Sequence, residues 1–321
     1  MAENTPTTIL LFETIHERGL KILEARGRVV RPPSLEEEAL LPLMGQADAV
    51  VLRALARITR RLMKAAPRLK VVGRHGIGVD NIDLEAATEL GIRVVNTPDA
   101  PTEPVAEHFL MLALMLAKGY VRAGQALRRG AWQSRFDRPG IELVGRTVGL
   151  VGFGRTGRRT AEICSRGFRC RILYTDVVSC PELEADLGAR RVPLEELLKE
   201  SDFVSLHVPL MEATRHLIGA REIGMMKPTA FLLNLCRGPV WDESEVLDAL
   251  RAGRIAGAAT DVFEQEPASP QHPLLELENF IATPHTASAT LEAMERMSLV
   301  AEDVVAVLDG REPRWPVNKI K

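Results

Sequence analysis

Short apolar runs alternate with longer segments in which apolar residues recur every three or four positions along most of the chain. An apolar run of strand length, rich in β-branched residues, predicts a buried strand, and the longer spacing predicts an amphipathic helix. In the first hundred residues this pattern predicts strands at 7–12, 28–31, 49–52, 69–73 and 92–96, with helices at 16–26, 35–44, 59–66 and 84–90. Strands that alternate with helices pair in parallel and are covered by helices on both faces. We therefore predict an α/β domain.

Helix-breaking residues at 96–102, which include Pro98 and Pro101, separate this domain from a second one. After a long helix at 103–129, in which Gly119 and Gly124 are possible break points, the alternation resumes. It predicts strands at 147–151, 171–175, 189–192, 203–207, 229–236, 255–261 and 280–283, with helices at 155–164, 194–200, 243–252 and 289–309. The tail at 311–321 has no predicted element. The predicted fold class is α/β with two doubly wound domains, the second having a sheet of six or seven strands.

A glycine-rich turn follows the predicted strand at 147–151 and precedes a helix, with the spacing G-x-G-x-x-G. Glycines at these places allow a tight turn, bring a pyrophosphate close to bare backbone and let the helix pack on the strand. Asp176 ends the next strand nineteen positions after Gly157, where a carboxylate can bind the hydroxyls of the adenosine ribose. A structural turn with an incidental aspartate is the alternative, but the combination predicts a dinucleotide site. Its residues are Gly152, Phe153, Gly154, Arg155, Thr156, Gly157 and Asp176.

The helix predicted at 103–129 has few charges between Phe109 and Ala117. A helix this apolar must be buried on most of its sides. It is either a core helix or a helix that packs in part against a second subunit, and we favour the second interpretation. The expected assembly is a homodimer.

Composition and charge exclude several classes of protein. The chain has 321 residues, of which 41 are basic and 43 acidic, and a net charge of −2 argues against a nucleic-acid-binding surface. The four cysteines include no C-x-x-C pair, so neither a zinc ribbon nor a disulfide framework is indicated, and no metal site is expected. The first residues do not resemble a signal peptide, and the longest apolar run, 109–117, is too short to span a membrane. We expect a cytoplasmic protein.

Three ionisable side chains, Arg237, Glu266 and His285, follow predicted strands of the second domain. Ligands of an open α/β sheet bind beyond the carboxyl ends of its strands. An arginine binds a carboxylate and polarises the neighbouring carbonyl, and a histidine gives that carbonyl a proton as a hydride arrives. A carboxylate beside the histidine orients the imidazole and favours its charged form. Alone, each residue has an ordinary explanation as a surface ion pair, a loop charge or a core histidine. Together they predict reduction of a 2-keto acid with a nicotinamide cofactor.

These motifs resemble those of the D-isomer-specific 2-hydroxyacid dehydrogenase family, and the resemblance covers nearly the whole chain. It is carried by VVGRHGIGVDNID at 71–83 and by residues 105–108, 152–157, 207–209, 234–238, 257–263, 266–267 and 283–285. The resemblance implies a Rossmann NAD-binding domain at 99–287 inserted into a discontinuous flavodoxin-like substrate domain at 1–98 and 288–321. It also implies that Arg237, Glu266 and His285 are the catalytic residues.

The same resemblance implies further contacts with the ligands. Contacts with the cofactor would come from Asp176, His207, Val208, Pro209, Thr214, Cys236, Arg237, Asp261 and His285. Contacts with a small 2-hydroxy or 2-keto acid would come from Arg53, Arg74, His75, Gly76, Ile77, Gly78 and Arg237. Asp176 favours NAD over NADP because a 2′-phosphate would meet its negative charge. The loop at 132–136 resembles a family segment that can reach the active site of a partner subunit.

Members of this family differ in substrate. Arg53 and Arg74 stand where phosphoglycerate dehydrogenases carry arginines, which favours D-3-phosphoglycerate, although Pro101 and Pro104 depart from the pattern of those enzymes. A glyoxylate or hydroxypyruvate reductase is the alternative. Formate dehydrogenases carry glutamine in place of Glu266, and phosphite dehydrogenases carry lysine in place of Ile77, so both are set aside. A second alternative is a transcriptional corepressor that senses NAD(H) and turns over little substrate.

Overall fold

The computed structural model describes residues 6–320, and the contacts within it divide the chain into two units. One unit runs up to Pro101 and resumes at Ala289, and the other comprises Thr102–Ser288. Residues 1–5, on which the expected absence of a signal peptide rests, lie outside the described part.

Strands and helices alternate in the described residues up to Pro101. They are β1 (Thr8–Leu11), α1 (Glu17–Arg26), β2 (Arg28–Val30), α2 (Glu37–Met44), β3 (Ala49–Leu52), α3 (Arg60–Lys64), β4 (Val71–Arg74), α4 (Leu84–Glu89) and β5 (Arg93–Val95).

The second unit begins with two helices and then alternates in the same way. Its elements are α5 (Thr102–Lys118), α6 (Tyr120–Arg128), β6 (Thr147–Val151), α7 (Arg155–Phe168), β7 (Arg171–Thr175), α8 (Pro181–Leu187), β8 (Arg190–Arg191), α9 (Leu194–Glu200), β9 (Phe203–Leu206), α10 (Ala220–Ile223), β10 (Phe231–Asn234), α11 (Glu243–Arg251), β11 (Gly257–Thr260) and β12 (Phe280–Ala282). Short 3₁₀ helices lie at Trp132–Phe136, Glu212–Thr214, Gly238–Val240 and Pro273–Glu276. The chain then returns to the first unit with α12 (Leu291–Ser298) and α13 (Val300–Leu308).

The sheet of the first unit is parallel, with the strand order β2-β1-β3-β4-β5. Its central strands β1 and β3 are buried along their whole length, as expected for strands covered on both faces. One face packs on a cluster that includes Leu40 and Leu62, and the other packs on Leu23 of α1 and Val304 of α13. This strand order is that of the flavodoxin-like doubly wound fold, as predicted.

The sheet of the second unit has the order β12-β11-β10-β9-β6-β7-β8, and all its strands are parallel. The chain reverses its direction of winding between β6 and β9, which is the point where such sheets bind dinucleotides. Phe109 and Tyr174 belong to the core on one face, and Leu232 and Trp241 to the core on the other. The predicted fold class is confirmed.

The helix predicted at 103–129 breaks at one of its two expected break points, and the helix predicted as continuous at 289–309 is wrong. Gly119 adopts a left-handed conformation with φ of 58°, and α5 and α6 meet there at an angle of 60°. Gly124 lies within α6 and does not break it. The helix predicted at 289–309 is divided at Leu299 into α12 and α13. In the described part of the chain, no single helix is long and apolar enough to cross a bilayer, and only the bent pair α5 and α6 reaches that length together.

The tail after α13, for which no element was predicted, pairs with the edge of β5. Val317 donates its N–H to the carbonyl of Val94 at 2.8 Å, and the Asn318 amide oxygen accepts the N–H of Val94 at 2.8 Å. The Asn318 amide nitrogen also donates to the carbonyl of Ile92 at 2.9 Å. The tail therefore satisfies the backbone groups that an edge strand would otherwise expose. Helices α8 and α10 were also missed, and β8 is shorter than the strand predicted at 189–192.

Candidate active site

The glycine-rich turn joins β6 to α7 at the carboxyl edge of the second sheet. Gly152 has φ of 98°, and a Cβ atom there would lie 2.6 Å from the carbonyl oxygen of His207. A Cβ at Gly157 would collide with the carbonyl oxygen of Gly152, whereas a Cβ at Gly154 would meet nothing within 4 Å. The turn is therefore tightly packed at Gly152 and Gly157 but leaves free space at Gly154. Arg155 and Thr156, the first residues of α7, follow this space. This cradle fits the pyrophosphate of NAD.

Asp176, directly after β7, is joined to the glycine-rich turn. One carboxylate oxygen accepts the N–H of Phe153 at 2.6 Å, and the other accepts the N–H of Val178 at 3.0 Å. A carboxylate has about four lone-pair sites, so the two oxygens can still accept the hydroxyls of a ribose. The structure thus brings Asp176 and the turn together as a dinucleotide site requires.

The loop after β9 contains four of the residues predicted to contact the cofactor. Burial of the His207 imidazole lowers its pKa to about 4, so the ring is neutral near pH 7, and its Nε2 lies 2.9 Å from the hydroxyl of Ser205. The Thr214 hydroxyl donates to the carbonyl of Pro209 at 2.6 Å and accepts the N–H of Met211 at 2.8 Å. Thr214 therefore shapes the loop that presents Val208 and Pro209.

Arg237, Glu266 and His285 follow β10, β11 and β12, which are neighbours in the sheet. The Nδ1 atom of His285 lies 2.8 Å from Oε2 of Glu266. Because Nδ1 faces the carboxylate, Nε2 is the ring nitrogen left for a substrate. The two side chains are 41% and 38% exposed, so a ligand can reach them.

Glu266 is held in its ionised form. Burial raises the pKa of Glu266, but the hydrogen bond and charge of His285, the N–H of Phe263 at 3.1 Å and the charge of Arg237 together lower this pKa below its usual range. An ionised carboxylate at Nδ1 stabilises the imidazolium form of the histidine. The pair can therefore supply and take back a proton.

Asn234 fixes the turn that carries Arg237. Its amide nitrogen donates to the carbonyl of Arg237 at 2.9 Å, and its amide oxygen accepts the N–H of Cys236 at 3.2 Å. Burial raises the pKa of the Cys236 thiol to about 11, so the sulfur is protonated and a poor nucleophile. Among residues 6–320, no group of three or more His, Cys, Asp or Glu side chains is placed to hold a metal ion.

Asp261, predicted to contact the cofactor, is buried among hydrogen-bond donors from the protein. Its carboxylate accepts the hydroxyl of Thr283 at 2.6 Å and the N–H groups of Thr286 and Ala287, both at 2.8 Å. The Nε2 atom of His108 lies 2.9 Å from the hydroxyl of Thr283. Sequence reasoning did not assign His108 to the site, because no periodic pattern links a residue in α5 to one 175 positions later.

Arg53 and Arg74 stand at the carboxyl ends of neighbouring strands in the first unit. Leu52 pairs with Arg74, so Arg53 and Arg74 leave the same edge of the sheet. The Arg53 guanidinium donates to the carbonyl of Thr14 at 3.2 Å, and no carboxylate of the described residues forms an ion pair with it. The Arg74 guanidinium donates to the carbonyl of His75.

The segment after Arg74 contains the other predicted substrate contacts. Burial, reinforced by the charges of Arg53 and Arg74, lowers the pKa of His75 to about 4, so this imidazole is neutral. Gly76 has φ of 122°, which only glycine adopts readily, and its N–H donates to the hydroxyl of Thr97 at 3.0 Å. Among the described residues, no acceptor is hydrogen-bonded to the N–H of Ile77 or Gly78. These two donors remain available to an anionic ligand.

Residues 110–287 match the family model described as "D-isomer specific 2-hydroxyacid dehydrogenase, NAD binding domain". The chain is 43% identical over 313 residues to the D-3-phosphoglycerate dehydrogenase of Methanocaldococcus jannaschii, covering 97% of this chain and 59% of that protein. It is 41% identical over 320 residues to the glyoxylate reductase of Korarchaeum cryptofilum, covering 97% and 96% of the two chains.

The chain belongs to the D-isomer specific 2-hydroxyacid dehydrogenase family.

Solved structures of similar proteins agree with this assignment. A protein of Thermus thermophilus superimposes on the dehydrogenase with a TM-score of 0.90 at 38% identity, over 97% of this chain and 100% of the other. A glyoxylate reductase from Paecilomyes thermophila gives a TM-score of 0.88 at 30% identity, over 97% and 98% of the two chains. The protein is an NAD-dependent oxidoreductase, and the interpretation as an NAD(H)-sensing corepressor is set aside.

Proposed function

We propose that this dehydrogenase interconverts a small 2-keto acid and its D-2-hydroxy acid, with Arg237, Glu266 and His285 as the catalytic residues. The observation that supports these roles is the 2.8 Å contact between His285 Nδ1 and Glu266, in loops that follow β12 and β11, while Arg237 follows the neighbouring strand β10. The unit Thr102–Ser288 is the cofactor domain, and the discontinuous unit is the substrate domain. The substrate that we favour is D-3-phosphoglycerate.

Each catalytic side chain has one task in this scheme. The Arg237 guanidinium binds the substrate carboxylate through two N–H groups and polarises the adjacent carbonyl. Bound NADH supplies the hydride. His285 donates its Nε2 proton to the carbonyl oxygen in reduction and accepts the hydroxyl proton in oxidation. Glu266 holds Nδ1, which fixes the direction in which Nε2 points and stabilises the imidazolium. Asp176 disfavours NADP because a 2′-phosphate would approach its carboxylate.

The phosphate of the favoured substrate requires a second cationic group. Arg53 and Arg74 leave the same edge of the first sheet, and the N–H groups of Ile77 and Gly78 lie in the segment that follows. Guanidinium groups and backbone N–H groups are the usual ligands of phosphate in proteins. We therefore assign the phosphate to this set of donors.

Replacing Arg74 with alanine is expected to reduce kcat/KM for the phosphorylated keto acid by an amount equivalent to roughly 1.5–3 kcal/mol, the range for a hydrogen bond to a charged group. Glyoxylate has no second anion, so its kcat/KM should change much less. The measurement is kcat/KM for both substrates with NADH. Arg57→Ala, which removes an exposed arginine from the loop after β3, is the matched control. Equal losses on the two substrates would contradict phosphate binding by Arg74.

A glyoxylate or hydroxypyruvate reductase is the second candidate. The dehydrogenase spans 96% of the length of the glyoxylate reductase of Korarchaeum cryptofilum but only 59% of the phosphoglycerate dehydrogenase. A wild-type preference for glyoxylate, together with equal losses in Arg74→Ala, would establish this candidate.

We also infer a homodimer that buries one surface of α5, α6 and the 3₁₀ helix after them. Five large apolar side chains of these elements are exposed, and exposed apolar surface is typical of protein–protein contacts. The Arg135 guanidinium lies 4.8 Å from the ring centroid of Phe136, a cation–π contact within the 3₁₀ helix. The exposed apolar residues are Met111 (41%), Tyr120 (65%), Leu127 (58%), Trp132 (62%) and Phe136 (75%). A cytoplasmic location is consistent with four free cysteines.

The dimer is tested by light scattering at micromolar concentration. Wild type should have the mass of two chains, and Phe136→Asp should shift it towards one chain, because a charge would be buried in an apolar contact. Leu291→Asp, which adds the same charge to an exposed leucine of α12, is the control and should remain dimeric. A wild-type protein with the mass of one chain would refute the assembly.

A further inference from the structure

The backbone of His285 adopts a conformation that residues with side chains rarely take. Its φ is 53°, in the left-handed region. Such a conformation persists only where the surroundings determine it, and it occurs often at active sites. The direction of the imidazole depends on this backbone angle, so whatever holds the backbone also directs Nε2.

One buried residue, Asp261, holds the segment that begins at His285. Its carbonyl oxygen accepts the N–H of His285 at 2.8 Å. Its carboxylate accepts the next two N–H groups, those of Thr286 and Ala287, also at 2.8 Å. Three successive backbone donors therefore end on Asp261, which is only 2% exposed.

The carboxylate of Asp261 is in turn oriented by a directed chain of hydrogen bonds. Thr283 lies 2.6 Å from Oδ1 of Asp261, and since an ionised carboxylate only accepts, the threonine hydroxyl must donate to it. That hydroxyl has no second proton, so the contact at 2.9 Å with His108 requires Nε2–H of the imidazole as the donor. The chain runs from His108 through Thr283 to Asp261.

The state of His108 agrees with this direction. Burial lowers the pKa of His108, and the opposing charge of Asp261 only partly compensates, so the neutral ring is favoured near pH 7. Its side chain is 12% exposed, which shields the hydrogen bond to Thr283 from water. A neutral donor orients Thr283 without adding a charge beside the catalytic pair.

We propose that His108 and Thr283 are positioning residues for proton transfer, because they orient Asp261, and Asp261 fixes the left-handed backbone of His285. This inference rests on the proposed role of His285 as the proton donor. The same hydrogen bonds determine how many acceptor positions Asp261 still offers to the cofactor. Thr283 and Thr286 use both lone pairs of Oδ1, and Ala287 uses one of Oδ2, so a single acceptor position is left on Oδ2 for an N–H donor.

The test compares Thr283→Val, which removes the hydroxyl at nearly constant shape, with Thr283→Ser, which keeps it. Thr283→Val is expected to lower kcat for keto-acid reduction by about 10²-fold, the effect of a catalytic group displaced by about 1 Å. The solvent deuterium isotope effect on kcat should rise, because proton transfer becomes slower. The dissociation constant of NADH, measured by fluorescence, should change little. Thr283→Ser should recover most of the activity and the wild-type isotope effect.

A second pair tests the other end of the chain. His108→Leu removes the donor to Thr283, and His108→Gln retains an N–H that can reach it. We expect His108→Leu to lower kcat and raise the isotope effect, and His108→Gln to restore both. Thr160→Val is the matched control, because Thr160 is buried in α7 with no hydrogen-bond partner for its hydroxyl among the described residues. It should retain wild-type kcat.

Three outcomes would overturn the proposal. One is wild-type kcat in Thr283→Val. Another is a loss of kcat with an unchanged isotope effect and a lower melting temperature, since a purely structural role predicts that result. If Thr283→Val does not fold, wild-type kcat in His108→Leu overturns it instead. The role of His285 is tested separately by substituting His285 itself. If the His285 variant keeps its activity, the proposed function is refuted. If the His285 variant loses activity while Thr283→Val keeps wild-type kcat, only this inference is refuted.

Discussion

Replacing His285 with asparagine is expected to lower kcat for keto-acid reduction by about 10²- to 10⁴-fold, the usual contribution of a positioned general acid. The reason is that Nε2 is the ring nitrogen left for the substrate once Nδ1 has bonded to Glu266. Asparagine is the appropriate replacement because it tolerates the left-handed backbone at φ of 53° better than alanine. NADH should still bind, which a fluorescence titration measures independently of turnover.

The control for this experiment is His216→Asn. His216 is a second histidine with a left-handed backbone, at φ of 48°, and it contacts Glu264 rather than Glu266. The same substitution there should leave kcat within a factor of a few, as for most surface changes. If His285→Asn retained turnover close to that of His216→Asn, another group would have to be the proton donor.

Replacing Glu266 with glutamine is expected to move the alkaline limb of the reduction profile to lower pH and to lower kcat at its optimum by about 10²-fold. Reduction needs the imidazolium form of His285, and a neutral amide does not stabilise that cation. Once the negative charge is gone, the imidazolium loses this electrostatic stabilisation, so the limb moves towards acid. The measurement is the pH dependence of kcat for wild type and variant.

In the wild-type protein, the ion pair between Glu266 and His285 should persist well below neutral pH. The pKa of Glu266 lies below its ordinary value of 4.5 in the folded protein, so its stabilising contribution is present above that value and is lost only as the pH falls through the lowered pKa. Glu264→Gln removes a neighbouring carboxylate that contacts His216 and is the control. An alkaline limb at the same pH in Glu266→Gln and wild type would mean that another group determines it.

Local pattern was sufficient for the strands and most of the helices, and for the edge of the sheet where polar side chains gather. Arg237, Glu266 and His285 each follow a predicted strand, and the carboxyl ends of parallel strands share one edge. The glycine spacing and Asp176 likewise predicted a turn that the structure shows, although not that the Asp176 carboxylate accepts the N–H of Phe153. These features depend on residues close together in the chain.

Contacts between distant residues were not predictable in this way. The bond between His108 and Thr283 joins α5 to the end of β12, and although both residues lie in stretches that carry the family resemblance, nothing in the sequence pairs one with the other. The break at Leu299 has no glycine or proline to mark it, unlike the break at Gly119. The pairing of Asn318 with β5 depends on one side chain and has no periodicity. Only the tertiary structure determines such features.

The discontinuity of the first unit has a consequence for the order of events during synthesis. One face of its sheet is covered by Val300, Ala301, Val304 and Leu308 of α13, which pack on Ile9, Val51 and Val71. The ribosome makes these covering residues some two hundred positions after the last strand of that sheet. The unit Thr102–Ser288 is continuous and is complete earlier, and domains generally fold as units while the chain emerges. The unit whose synthesis begins first is therefore the last to complete its hydrophobic core.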